Sequence, residues 1–70
     1  MLAQERYKYI TEQLEVKNSI SVNEIAAALS VSIETVRRDL ILLETHGKLK
    51  RVFGGAVAVE SPQHFSSFES

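Results

Sequence analysis

Between Ser32 and Leu43 the chain reads Ser-Ile-Glu-Thr-Val-Arg-Arg-Asp-Leu-Ile-Leu-Leu, and the four residues Leu29-Ser30-Val31-Ser32 separate it from an alanine-rich stretch. No other segment constrains the fold as much. At about 100° per residue, Val36, Leu40 and Leu43 fall on one stripe with Ile33 at its edge. Arg38 points away from that stripe, and Thr35 and Arg37 lie on its flanks. Such a helix offers an apolar side to a small core and a short polar, basic side to something outside. Helix N-termini and arginine forks both favour phosphate and base edges.

Seventy residues make one domain, near the lower limit for a single unstapled core. With no cysteine, a disulfide framework and a cysteine-based zinc site are excluded. A hydrophobic content of 44% is enough for a core and unlike that of a disordered chain. No apolar run approaches membrane-spanning length, and Met1-Leu2-Ala3-Gln4-Glu5-Arg6 lacks the order of a signal peptide, so the chain reads as cytoplasmic. The net charge is −1, but it is unevenly spread. Residues 1–31 carry −1, residues 32–59 carry +2 and residues 60–70 carry −2. A local basic patch is what meets phosphates, whatever the total.

From Ala3 to Glu15 the apolar positions Tyr7, Ile10 and Leu14 recur at helical spacing, Leu2 extends the stripe, and Lys8, Glu12, Glu15 and Lys17 form a solvated face. Asn18 breaks the pattern, and Ile20-Ser21-Val22 is a short extended bridge. Ser21-Val22-Asn23-Glu24 is a capping box that starts a second helix, with Ile25, Ala28 and Leu29 as its expected buried stripe. Ser30 interrupts that helix, Val31 is an apolar plug and Ser32 caps the next helix. A short helix, a tight turn and a Ser-capped helix form a helix-turn-helix, whose second helix lies in the major groove of a duplex. The same corner also serves packing alone in many three-helix domains.

After Glu44 the period changes. His46-Gly47 ends the third helix, with Gly47 suited to the left-handed position after it. Leu49-Lys50-Arg51-Val52-Phe53 alternates apolar and basic, Gly54-Gly55 reads as the turn, and Ala56-Val57-Ala58-Val59 returns as a second strand. The expected fold is mainly α with a small β-hairpin, a winged helix-turn-helix of three helices and a two-stranded wing. Lys48, Lys50 and Arg51 on that wing suit phosphate contact; the same residues also defend an edge strand against aggregation. Residues 1–59 form the domain. Residues 60–70, rich in serine with one proline and with Phe65 and Phe68 stranded, read as a linker toward a further domain.

Other chemistry finds little footing. His46 and His64 stand apart with no partners at metal-ligand spacing, so no metal or cofactor is expected. Gly54-Gly55 lacks the remaining residues of a phosphate-binding or dinucleotide loop, and no serine stands in a nucleophile elbow. The chain reads as a binding domain and not an enzyme.

Taken together, Glu5-Arg6, Val22-Asn23-Glu24-Ile25-Ala26, Leu29-Ser30-Val31-Ser32, Thr35-Val36-Arg37-Arg38-Asp39-Leu40, Leu43-Glu44, Gly47-Lys48-Leu49 and Arg51-Val52-Phe53-Gly54-Gly55-Ala56 resemble the N-terminal DNA-binding domain of the DeoR family of bacterial transcriptional regulators. The resemblance covers roughly residues 2–57. It implies a winged helix-turn-helix that binds double-stranded operator DNA, usually to repress carbohydrate or nucleoside catabolism genes. It also implies a C-terminal domain that senses a sugar phosphate and drives homo-oligomerisation. Phe53 stands where the family commonly has a histidine, and its ring is expected to pack under the hairpin.

The helix from Ser32 to Leu43 is thus expected in the major groove. Ser32 and Thr35 are short enough for base edges, Arg38 is placed best for a bidentate contact to guanine, and Arg37, Lys48, Lys50 and Arg51 suit phosphates. Glu34, four residues before Arg38, is expected to hold it in a surface pair when DNA is absent. A rival from another class is a winged helix used for protein contacts through Ile41, Leu42, Phe65 and Phe68.

Overall fold

The computed structural model describes residues 2–59. Three helices and three short strands follow in the order α1 (Ala3–Lys17), β1 (Ser19–Ser21), α2 (Val22–Leu29), α3 (Ile33–Thr45), β2 (Leu49–Val52) and β3 (Gly55–Ala58). The expectations for residues 60–70, including Phe65 and Phe68, lie outside the described residues.

Each helix stops where its sequence supplies a left-handed residue or the hydrogen bonds that go with one. Asn18 ends α1 at φ 69°, its N–H donating to the Leu14 carbonyl at 2.8 Å. Ser30 ends α2 at φ 58°, and the Val31 N–H donates to the Ala26 carbonyl at 3.1 Å. That six-to-one bond is half of a Schellman closure, and it tucks Val31 against the core as the expected plug. After α3, Gly47 at φ 75° completes the same closure, with Lys48 donating to Leu43 and Gly47 to Glu44, both at 2.9 Å. At the starts, the Ser21 hydroxyl accepts from the Glu24 N–H at 3.4 Å and the Ser32 hydroxyl from the Thr35 N–H at 3.1 Å. Both serines cap as expected.

The core is one cluster in which Ile10, Val36, Leu40 and Leu49 are fully buried, so α1, α3 and β2 meet at its centre. Burial corrects two helix readings. In α2 the buried set is Val22, Ile25 and Ala26, with Leu29 half-buried and Ala28 exposed. Positions 22, 25, 26 and 29 make the true three-and-four stripe, and Ala28 falls off it. Leu2 does not extend the stripe of α1; it is 67% exposed.

The wing is larger than a hairpin. Its three strands lie in the order β1-β3-β2, all neighbours antiparallel. Ser19 pairs with Val57 and Ser21 with Gly55 on one side of β3; Leu49 pairs with Ala58 and Val52 with Gly55 on the other. The expected bridge Ile20-Ser21-Val22 is therefore shifted by one residue: Ser19–Ser21 is the strand, Ser21 is also the cap, and Val22 opens α2, so that the strand joins the wing to the helices. Gly55 makes this possible: a Cβ there would sit 1.9 Å from the Ile20 carbonyl oxygen. The turn also shifts by one residue. Val52 and Gly55 are paired, so Phe53-Gly54 forms the loop, with Gly54 at φ 80° supplying the left-handed position.

Candidate nucleic-acid interface

The two flanks of α3 are each tied to another element by an ion pair. Asp39 lies one position beside the apolar stripe and is buried. Arg6 of α1 grips it through two bonds, Nε to Oδ2 at 2.6 Å and Nη2 to Oδ1 at 3.1 Å. Side-chain exposures of 16% for Arg6 and 4% for Asp39 put this pair inside the fold. The hydrogen bond to Asp39 holds the Arg6 guanidinium above its ordinary value. In the sequence Arg6 and Asp39 stand out only as parts of the family resemblance. The available signal was a carboxylate at the i+3 position of the stripe from Val36, where an unpaired charge is too costly to bury.

On the opposite flank, Glu44 holds the wing. Its Oε1 accepts from Arg51 Nε at 2.8 Å and its Oε2 from the Arg51 backbone N–H at 3.0 Å. The Arg51 side-chain bond, followed by the backbone bond, lowers the Glu44 pKa below the usual carboxylate range. Strand alternation explains the contact: Arg51 shares the face of buried Leu49, which looks toward α3, while Lys50 points to the outer face beside Val57. Arg51 is therefore not a freely extended cation. Its Nε is committed to Glu44, and both Nη groups stay without a partner among the described residues.

The outward side of α3 is different. Arg37 and Arg38 are exposed, and neither forms an ion pair among the described residues. The expected Glu34–Arg38 pair does not form: spacing of four brings two side chains within reach, but an exposed pair gains too little to order both. Ser32 and Thr35 are joined by a hydroxyl–hydroxyl bond of 3.0 Å as well as the cap. The Ser32 hydroxyl retains capacity for one more partner and the Thr35 hydroxyl for two. Lys48 and Lys50 are exposed on the wing side, also without ion pairs among the described residues. Ile41 and Leu42 are exposed as expected.

Between the first half of α3 and the wing runs an open groove of about 370 Å³, lined by Val22, Ile33, Arg37, Arg51, Phe53 and Gly54 among others. The structure thus gathers Arg37 and Arg51 on one groove with the wing tip. It corrects the expectation for Phe53, which does not pack under the hairpin: with the loop at Phe53-Gly54, the ring projects from the tip at 106% relative exposure.

The sequence of residues 6–62 matches the family described as "DeoR-like helix-turn-helix domain". The chain belongs to the DeoR family. It is 44% identical to the HTH-type transcriptional regulator GolR of Listeria innocua, an alignment covering 91% of this chain and 25% of that protein. It is 46% identical to the uncharacterized HTH-type transcriptional regulator YulB of Bacillus subtilis, over 99% of this chain and 28% of that one. With the lactose phosphotransferase system repressor of Staphylococcus aureus it shares 48% identity over 74% of this chain and 21% of the repressor. No solved structure matches it. The DeoR-type chain spans about a quarter of the length of the curated relatives it matches. Those relatives are transcriptional regulators, and the domain is the DNA-binding helix-turn-helix of such proteins. Among the described residues no helix is long and apolar enough to cross a membrane.

Proposed function

We propose that this domain delivers a DeoR-type regulator to its operator, with α3 in the major groove and the wing along the flanking backbone. The observation that carries this reading is that Arg37, Arg38, Lys48 and Lys50 have no ion-pair partner among the described residues, beside two arginines that are committed to carboxylates. Arg38 reads guanine through its fork, and Ser32 and Thr35 reach base edges with the hydrogen-bonding capacity left after the cap. Arg37, Lys48 and Lys50 hold phosphates, and Arg51 offers its Nη groups to a phosphate while Glu44 keeps its Nε.

Residues 1–59 are the operator-binding unit, and residues 60–70 lead toward a C-terminal portion in a full-length protein. That portion binds a sugar phosphate and holds a homo-oligomer, and the regulated genes serve carbohydrate or nucleoside catabolism. The names of the lactose phosphotransferase system repressor and the putative aga operon repressor support the repressor role and the sugar class. The protein acts in the cytoplasm, where its DNA is.

The test is binding of the isolated chain to a duplex from the region upstream of its own operon, at low salt and again at higher salt. A shift of that duplex with strong salt dependence is expected. Failure to bind it or a random duplex at any salt overturns the reading in favour of a protein-contact module.

A further inference from the structure

Phe53 is the most exposed of the large apolar side chains among the described residues. At 106% relative exposure its ring is covered by nothing among the described residues. The loop does not require it either, because Gly54 carries the positive φ and Phe53 does not. The backbone on either side of the ring is nonetheless held in place. The Gly54 carbonyl accepts from the Val22 N–H at 2.9 Å, which fastens the tip to the start of α2. Two residues before Phe53, Arg51 is gripped by Glu44 through both backbone and side chain. The aromatic therefore stands at the end of a short anchored arm, on the same groove as Arg37 and Arg51. Lys50 is nearby in the chain and has no ion pair among the described residues, so the surroundings attract a polyanion more than an apolar protein surface.

We infer that Phe53 is a wedge for duplex DNA. The inference rests on the reading of α3 and the wing as the duplex-binding face. With α3 in the major groove, the arm crosses the adjoining phosphate ridge and meets the minor groove. There the ring enters between neighbouring base pairs, partly unstacks the step and bends the duplex. A flat apolar ring suits this role because it stacks on any base and gives up no hydrogen bond of its own on leaving water. The wedge favours pyrimidine–purine steps, which unstack most readily, and so adds sequence preference at a position that no polar side chain reads.

The test uses a duplex of roughly 30 base pairs from the region upstream of the protein's own operon, carrying a donor and an acceptor dye at its ends. Anisotropy reports binding at low salt, and energy transfer reports bending. The wild-type chain is expected to bend the duplex. Phe53→Ala should bind about tenfold more weakly, within the range for a stacked aromatic, and lose the bend, while melting at the same temperature as wild type. Phe53→Leu, which keeps an apolar wedge, should restore part of the bend. Equal bending by wild type and Phe53→Ala overturns the wedge and leaves the proposed function standing, as does binding by both with no bend. Absence of binding by the wild-type chain to this duplex and to a random one overturns both.

Discussion

On the inner flank of α3, Asp39 is buried against the Arg6 guanidinium; on the outer side, Arg38 meets water and has no carboxylate partner among the described residues. The two residues are adjacent in sequence, yet one charge is spent on joining α1 to α3 and the other is left available. Glu44, on the remaining flank, does for the wing what Asp39 does for α1, in a more exposed setting of 36% for Glu44 and 48% for Arg51. Paired charges around this helix set where its neighbours sit. Unpaired ones are what it has left to offer a partner.

That division predicts that inner substitutions lower stability without touching selectivity. The largest effect is expected from Leu40→Ala. Truncating a fully buried leucine costs about 2–5 kcal/mol, against a total stability of about 4–10 kcal/mol for a chain of this size. The variant should melt far below wild type by circular dichroism and regain ordinary DNA selectivity whenever it is folded. Normal melting would mean that the core is not organised on α3.

A smaller and opposite effect is expected at the hinge before α3. Ser30 holds a left-handed φ of 58° without being glycine. Ser30→Gly relieves that strain and should stabilise by about 0.5–1 kcal/mol after the entropy of the more flexible unfolded chain is allowed for. Tm should rise by about 2–8 °C. A fall in Tm would show that the serine contributes something other than a strained turn.

The smallest effect concerns the wing tie. Glu44 has a lowered pKa in the folded state, so its contribution is complete above the ordinary glutamate value of about 4.3 and is lost as the pH falls through the lowered one. Melting wild type and Glu44→Gln side by side should show wild type ahead at pH 6, with the gap closing in acid and shrinking in high salt. A gap that grows in acid would contradict the sign of the coupling.

Much of this was legible in the residues. The stripe Val36, Leu40 and Leu43, both serine caps and the left-handed Gly47 follow from periodicity and local backbone chemistry, and all stand in the structure. What escaped depends on partners distant in sequence. Asp39 interrupts an apolar pattern, and its partner lies 33 positions away. Ser19–Ser21 is too short to show a strand period, and its pairing is set by Gly55 permitting close approach to Ile20. Phe53 looked like a core residue because aromatic rings usually are, but a one-residue shift of the loop turned it outward. For the interface, sequence named the cations, whereas only the fold separates Arg51, engaged by Glu44, from Arg37 and Arg38.

The outer half of the comparison is tested most directly by fluorescence anisotropy of Arg38→Ala and Lys50→Ala on an operator duplex and a random duplex, across several salt concentrations. Arg38→Ala should weaken operator binding by about 1–3 kcal/mol and scarcely alter the random duplex. Lys50→Ala should weaken both and reduce the salt slope by about one unit. Equal losses on the two duplexes for Arg38→Ala would contradict its role in reading bases.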